Sequence, residues 1–196
     1  MKVYHIYPLA KPYEGNFDHY ATLRVNERDR RLFGGDDFSG RPYPRKWTPV
    51  ELYVAQPNRL RPDFFHFGFS AFVCNQRAME MAQGVLEEAG ELLPVTIERE
   101  PGNYFIYNVT NCLNVLDHAR SKWQPYGPDG KFKRLLEPVF IAERFGDESV
   151  FKFPEDPITS YCFERGGDGD EEGFKALVER DGLTGLEFKL VWSDES

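Results

Sequence analysis

The stretch Ala71-Phe72-Val73-Cys74-Asn75-Gln76-Arg77-Ala78-Met79-Glu80-Met81-Ala82-Gln83-Gly84-Val85-Leu86-Glu87-Glu88-Ala89-Gly90 decides the fold class. Its first four residues are a short apolar run of the kind that forms a buried strand. Asn75 then stands where a helix N-cap belongs, its side chain able to accept from the first free amides. Ala78, Met79, Ala82, Val85, Leu86 and Ala89 recur at helical spacing, while Arg77, Glu80, Glu87 and Glu88 take the other face. Gly90 fits the left-handed position that closes a helix. The spacing predicts a helix over 76–89 that follows directly on a strand.

Downstream, Leu92–Glu98 and Tyr104–Val109 are β-rich and flank Pro101-Gly102-Asn103, which reads as the turn of a hairpin. Asn111–Asp117 reads as a strand or an irregular crossing, Asp117–Ser121 as a capped turn and Pro125–Gly130 as a surface loop. Pro138–Arg144, Val150–Phe153 and Ile158–Phe163 form a three-strand meander. The polar, acidic Glu164–Gly173 leads into a second helix carrying Phe174, Leu177 and Val178 and ended by Gly182. Leu186, Phe188, Leu190 and Trp192 alternate with Glu187, Lys189 and Val191, the pattern of a half-buried final strand.

Upstream, Pro8, Pro12, Pro42, Pro44, Pro49, Pro57 and Pro62 break any long helix, leaving short strands at Lys2–Tyr7, Tyr20–Asn26 and Val50–Ala55. Phe64, Phe65, Phe67 and Phe69 read as an extended segment that buries a face. The class expected is α+β, a mostly antiparallel sheet with two main helices packed on it. Residues 1–70 form an aromatic- and proline-rich β/loop region and 71–196 an acidic α+β core region, read together as one continuous domain.

The formal net charge of −8 is unevenly placed. Residues 1–70 hold 11 basic against 8 acidic side chains, and residues 71–196 hold 13 against 24. An acidic half repels phosphate backbones and steers basic proteins, which argues against nucleic acid as a ligand. No apolar run approaches the roughly 18 to 20 residues that cross a bilayer, and the start lacks the pattern of a secretory signal. A cytoplasmic protein with no membrane association is expected. Cys74, Cys112 and Cys162 form no C-x-x-C pair and read as buried free thiols.

Motifs of catalysis are not found. Gly166-Gly167-Asp168-Gly169 runs into acids without the Lys-Ser/Thr of a phosphate loop. His5, His19, His66 and His118 lack ligand spacing, even with Asp18 beside His19, and Cys112 stands six positions from His118. No catalytic, cofactor-binding or metal-binding residue is assigned. Asp168, Asp170, Glu171 and Glu172 fit no calcium loop. They offset the positive end of the helix that follows, or present charge to a partner.

The order of motifs resembles the immunity-protein-11 family, a former domain-of-unknown-function group. The resemblance rests on Pro62-Asp63-Phe64, Phe72-Val73, the predicted helix from Arg77 to Gly90, and Leu93-Pro94-Val95. It continues through Tyr104-Phe105-Ile106-Tyr107-Asn108-Val109, Val115-Leu116-Asp117, Ser121 and the ending Gly182-Leu183-Thr184-Gly185-Leu186-Glu187-Phe188, with Gly40-Arg41-Pro42 and Trp47-Thr48-Pro49 as weaker support. It covers about two thirds of the chain, and Asn75 replaces the serine expected at the cap. The resemblance implies an immunity protein of a bacterial polymorphic-toxin or contact-dependent system, which holds a cognate toxin inactive by stoichiometric contact. A non-catalytic scaffold or regulatory module, and a small hydrolase, are the alternatives.

Overall fold

The computed structural model describes residues 1–9, 20–34, 37–68, 70–126, 132–167 and 170–194. Among the described residues there are three sheets, mostly antiparallel, and three α-helices. The six-stranded sheet takes β2 (Leu23–Val25), β3 (Glu51–Val54), β4 (Phe64–Gly68), β5 (Ala71–Asn75), β6 (Gly90–Ile97) and β7 (Glu100–Val109) in the order β2-β3-β6-β7-β5-β4. Its β3–β6 pair is parallel. The four-stranded sheet combines β1 (Lys2–Pro8), β10 (Val150–Phe153), β11 (Asp156–Glu164) and β12 (Leu186–Ser193) in the order β10-β11-β1-β12. β8 (Lys122–Tyr126) and β9 (Phe132–Glu137) pair with each other as a two-stranded arm. The helices are α1 (Glu27–Arg30), α2 (Gln76–Ala89) and α3 (Phe174–Arg180).

Strand alternation distributes the apolar residues over three cores. Phe72, Cys74 and Tyr107 of the larger sheet and Ile6, Val150 and Cys162 of the smaller one face a shared core, filled by Ala78, Ala82 and Leu86 of α2 and Phe174 and Val178 of α3. The opposite face of the larger sheet, with Val73, Val95 and Ile106, packs under Phe33 and Phe38. The opposite face of the smaller sheet, with Val3, Phe151, Phe153 and Tyr161, is covered by Val115, Leu116 and Phe140 and, in part, by Trp123 and Leu135 of the arm. Burying phenylalanines at this density is worth about 1.5–3 kcal/mol per side chain. Among the described residues no helix is long and apolar enough to cross a membrane.

The strand-to-helix junction forms as the sequence predicts: Asn75 Oδ1 accepts from the Ala78 amide at 2.9 Å. Four readings are corrected. Gly90 does not close the helix in a left-handed turn; with φ −170° it is extended and opens β6. It is glycine because a Cβ there would stand 2.3 Å from the Asn108 carbonyl oxygen. The hairpin turn falls at Glu98-Arg99, with Arg99 at φ 61°, and Pro101-Gly102-Asn103 is absorbed within β7 as a bulge, between the Val95–Tyr104 and Ile97–Glu100 pairs. Proline is tolerated there because β5 pairs β7 only from Tyr104 onward, leaving that edge free. Pro138–Arg144 is not a strand: Phe140 bridges Leu116 and Ala142–Arg144 is a 3-10 turn. Trp192 does not share the face of Phe188, because Val3 pairs Trp192 while Tyr4 pairs Leu190, and the skipped Val191 turns the end of β12 toward the third core. Phe69 lies outside the described residues.

The third helix, α1, and the β8–β9 arm were not expected. The arm escapes a periodicity reading because Lys122-Trp123-Gln124-Pro125 carries one apolar ring and a proline. Asn111–Asp117 is the irregular crossing, tied by single bridges of Cys112 to Lys152 and Leu116 to Phe140. Asp117 caps its turn by accepting from the Ala119 and Arg120 amides at 3.0 and 3.1 Å.

Candidate functional site

The acidic segment singled out in the sequence is folded on itself by one of its own carboxylates. Asp170 accepts from the Arg165 amide at 2.7 Å through Oδ1 and from the Gly166 amide at 2.6 Å through Oδ2. Gly166 and Gly167 sit at φ 81° and 158°, a backbone that side-chain-bearing residues resist. Asp170–Glu172 then form a 3-10 turn leading into α3. Among the described residues no carboxylate caps that helix, and Ser149 Oγ accepts from the Phe174 amide at 3.1 Å. Glu171 and Glu172 are exposed, and Asp168 lies outside the described residues.

Tertiary structure places this segment across from α2, enclosing a cleft of about 590 Å³. Met81, Gly84, Val85 and Glu88 line its α2 side. That i, i+3, i+4, i+7 set is a second helix face, adjacent to the buried Ala78, Ala82, Leu86 and Ala89. The helix is kinked here, with Ala82 at φ −118° and ψ 15°. Gly84, two residues on, lowers the cost of the distortion and leaves room where a side chain would project. Met81 is 46% exposed and supplies a flexible apolar wall.

Four carboxylates line the cleft, Glu88, Asp147, Asp170 and Glu172. Among the described residues none of them makes an ion pair. Among the described residues the single basic one in the lining, Arg165, is turned onto the Phe145 and Gly146 carbonyls at 3.2 and 2.5 Å and lies over the Phe163 ring. The lining therefore carries an excess of negative charge on a partly apolar floor. Of the residues named from the sequence, Asp170 and Glu172 are brought together here and Glu171 is not in the lining. Glu88 and Asp147 were missed. Their signal was weak: an exposed methionine and a glycine inside an otherwise regular helix, and an acid in the turn before β10.

The other candidate groups disperse. His118 Nε2 meets Glu155 Oε1 at 2.6 Å and its ring stacks on Trp123. Cys112 is exposed rather than buried as the sequence suggested, because its segment crosses the surface beside Gly40, whereas Cys74 and Cys162 are buried. Partial burial raises the Cys112 thiol above its ordinary range, with Lys152 opposing, which is the wrong direction for a nucleophile. Burial, helped by Lys189, lowers His5 to about 4 and keeps it neutral near pH 7. His19 and Asp18 lie outside the described residues. Among the described residues no three His, Cys, Asp or Glu converge as a metal site.

Three stretches distant in sequence meet in one structural hub. Asp63, 7% exposed, accepts from the Thr184 amide and hydroxyl, from Asn75 Nδ2 at 3.0 Å and from Arg77 Nη1 at 2.9 Å. Arg77 also donates to the Asp181 carbonyl at 2.7 Å. Pro62-Asp63-Phe64, the α2 cap and Gly182-Leu183-Thr184-Gly185 are thus one assembly that fixes α2 and the end of α3, and with them the cleft. No protein-family model matches the chain, and no curated protein matches it.

Proposed function

We propose that this protein acts by stoichiometric binding, as an immunity protein that neutralises a cognate bacterial toxin, and that the α2–α3 cleft takes a basic side chain of the toxin domain. The observation that carries the reading is the cleft itself: Glu88, Asp147, Asp170 and Glu172 around Met81 and Val85, without an ion pair among the described residues. Unpaired carboxylates over apolar surface suit the long stem and charged head of lysine or arginine, because the stem packs while the head is neutralised. The imbalance of residues 71–196 would accelerate encounter with a basic partner and repel nucleic acid. The resemblance to the immunity-protein-11 family supplies the toxin; the charge supports only the class of partner.

The test is co-expression with the product of the neighbouring gene, scored by survival and co-purification. A triple variant, Glu88→Lys, Asp147→Lys and Glu172→Lys, is expected to lose protection and to weaken capture more than tenfold at low salt. Asp170 is left intact because it holds its own loop together. Full protection by the triple variant would remove the cleft from the mechanism. Absence of any protection by the wild-type protein would remove the immunity reading.

A further inference from the structure

The four-stranded sheet has one covered edge and one open edge. On the β10 side the Lys152 amide donates to the Asn111 carbonyl and the Lys152 carbonyl accepts from the Leu113 amide, both at 2.8 Å. In the larger sheet the edge strands β2 and β4 are tied by the Thr22–His66 bridge. β12 has no comparable cover: among the described residues it pairs with β1 and with no other strand. It runs for 8 residues without a proline, the kind of edge onto which a further strand adds.

The backbone fixes what that edge presents. The Leu9 amide bonds the Gly185 carbonyl at 2.9 Å. In step with it, Tyr7 pairs Glu187 and His5 pairs Lys189. Antiparallel bonding alternates, so Glu187 and Lys189 bond β1, while the amides and carbonyls of Leu186, Phe188 and Leu190 point outward. Side chains alternate too. Leu186 and Phe188 face α3 and the shared core, and Glu187 and Lys189 take the opposite face. Leu190, on the face of Phe188, is 50% exposed. Beside it Leu186 and Phe188 border a hollow of about 470 Å³, closed by Val178, Gly182 and Leu183.

We propose that β12 pairs antiparallel with β12 of a second copy of this chain, about a two-fold axis through Phe188, so that the two four-stranded sheets become continuous. In this register Phe188 meets Phe188 of the second copy as a hydrogen-bonded pair, which its outward backbone groups allow. Glu187 stands opposite Lys189 of the second copy, and symmetry repeats the pair. These are the non-hydrogen-bonded positions, where facing side chains are closest. Neither residue has an ion pair among the described residues. Leu190 of each copy lies next to Leu186 of the other, at the mouth of the hollow, and covers its own exposed surface there.

Charge selects both the partner and the register. A lone lysine on an edge discourages pairing, but with Glu187 two positions away the strand is complementary to itself. Sliding the copies by two residues sets Glu187 against Glu187 or Lys189 against Lys189, and like charges directly opposite are unfavourable. The edge shares no residue with the acidic cleft, so the proposal stands apart from the toxin reading.

The experiment is sedimentation velocity on the full chain over a concentration series from micromolar to several hundred micromolar. The wild type is expected to reach a dimer within the series. Glu187→Lys and Lys189→Glu are each expected to weaken it about tenfold, because two attractive cross-strand pairs become repulsive. An equimolar mixture of those two variants is expected to dimerise again, since each then supplies the charge the other lacks, and so is the double variant Glu187→Lys, Lys189→Glu. Leu190→Ser is expected to weaken the dimer through the lost apolar contact. All three positions are exposed, and thermal melts report folding of every variant. A wild type that stays monomeric across the series, a dimer untouched by the folded single variants, or a mixture no more associated than its two components would each overturn the proposal.

Discussion

Asp63 and Thr184 stand 121 positions apart in sequence, yet Asp63 Oδ2 accepts from both the backbone amide and the hydroxyl of Thr184 at 2.9 Å. The Asp63 amide returns a bond to Thr184 Oγ1 at 3.0 Å, and the Phe64 amide bonds the Thr184 carbonyl at 2.9 Å. The carboxylate also holds the cap residue of α2 and Arg77. One buried charge therefore sets the angle between β4, α2 and the turn after α3.

Replacing Asp63 by alanine should cost about 3 kcal/mol, because several donors are left without an acceptor in a buried place. Asn75→Ser should cost about 1 kcal/mol: serine keeps the helix cap but does not reach both the Ala78 amide and Asp63, as Asn75 does. Burial pushes the Asp63 carboxyl upward, but the Thr184 amide, the Asn75 and Thr184 side chains and Arg77 outweigh it and hold it below the usual range. A depressed acid contributes its stability above its unfolded pKa of about 3.9, and loses it as pH falls through the folded value. Urea denaturation from pH 7 to pH 2.5 should show a steeper acid loss in the wild type than in Asp63→Asn. Equal slopes would mean that the hub carries no net electrostatic stabilisation.

Three glycines should rank by geometry. Gly185→Ala should be the worst, since its Cβ would stand 2.0 Å from the Phe64 carbonyl oxygen at φ +100°. Gly90→Ala should be close behind, its Cβ meeting the Asn108 carbonyl oxygen at 2.3 Å and the buried Tyr107 ring at 2.8 Å from an unstrained, extended backbone. Gly182→Ala meets nothing within 4 Å, but φ is +59°, so only the left-handed penalty of about 1–2 kcal/mol applies. Thermal melts of the three variants give the order, and a Gly182 variant less stable than the Gly185 variant would contradict it.

Gly84→Ala should behave oppositely. Nothing lies within 4 Å of the added methyl group, and alanine gains about 0.5–1 kcal/mol over glycine in a helix. Straightening and filling the kinked face should also narrow the cleft. The expected result is a higher melting temperature together with weaker capture of the partner proposed for the cleft, measured by calorimetry on the same preparation. Unchanged affinity would show that the kink has no part in binding.

Lys152 is fully buried and donates to the Phe38 carbonyl at 2.5 Å and the Ser70 carbonyl at 2.7 Å. Lys152→Met should cost about 2 kcal/mol at pH 7, leaving two carbonyl oxygens without their donor. Burial lowers the lysine from 10.5 to about 8, with Asp156 and Cys112 opposing. Between those values the unfolded chain binds more protons than the folded one, so this group makes stability rise with pH from about 8 to 10.5. Chemical denaturation across that window should show the rise in the wild type relative to the methionine variant, and parallel curves would refute it.

Local chemistry was legible wherever it acts over a few residues. The apolar run before Asn75, the i, i+4 stripe after it and the left-handed Gly182 are short-range rules, and α2, its cap and the end of α3 follow from them. So do β1, β10 and the core of β11. What failed was punctuation whose meaning depends on a distant neighbour. Pro101-Gly102-Asn103 has the composition of a turn and forms a bulge, because the pairing of β6 with β7 had already placed the reversal at Glu98-Arg99. Gly90 has the position of a helix stop, but glycine is required there by the Asn108 carbonyl across the sheet.

The same division holds for the sites. The sequence by itself determined that residues 71–196 are acidic, that helices are combined with mostly antiparallel strands, and that Asp170 and Glu172 belong to one acidic segment before a helix. Only tertiary structure decided that Glu88 and Asp147 join them, and that Asp63 and Thr184 meet. The reason is physical: backbone and capping preferences are set within a turn or two, whereas charge complementarity and buried hydrogen bonds are properties of surfaces that exist only after the sheets have packed.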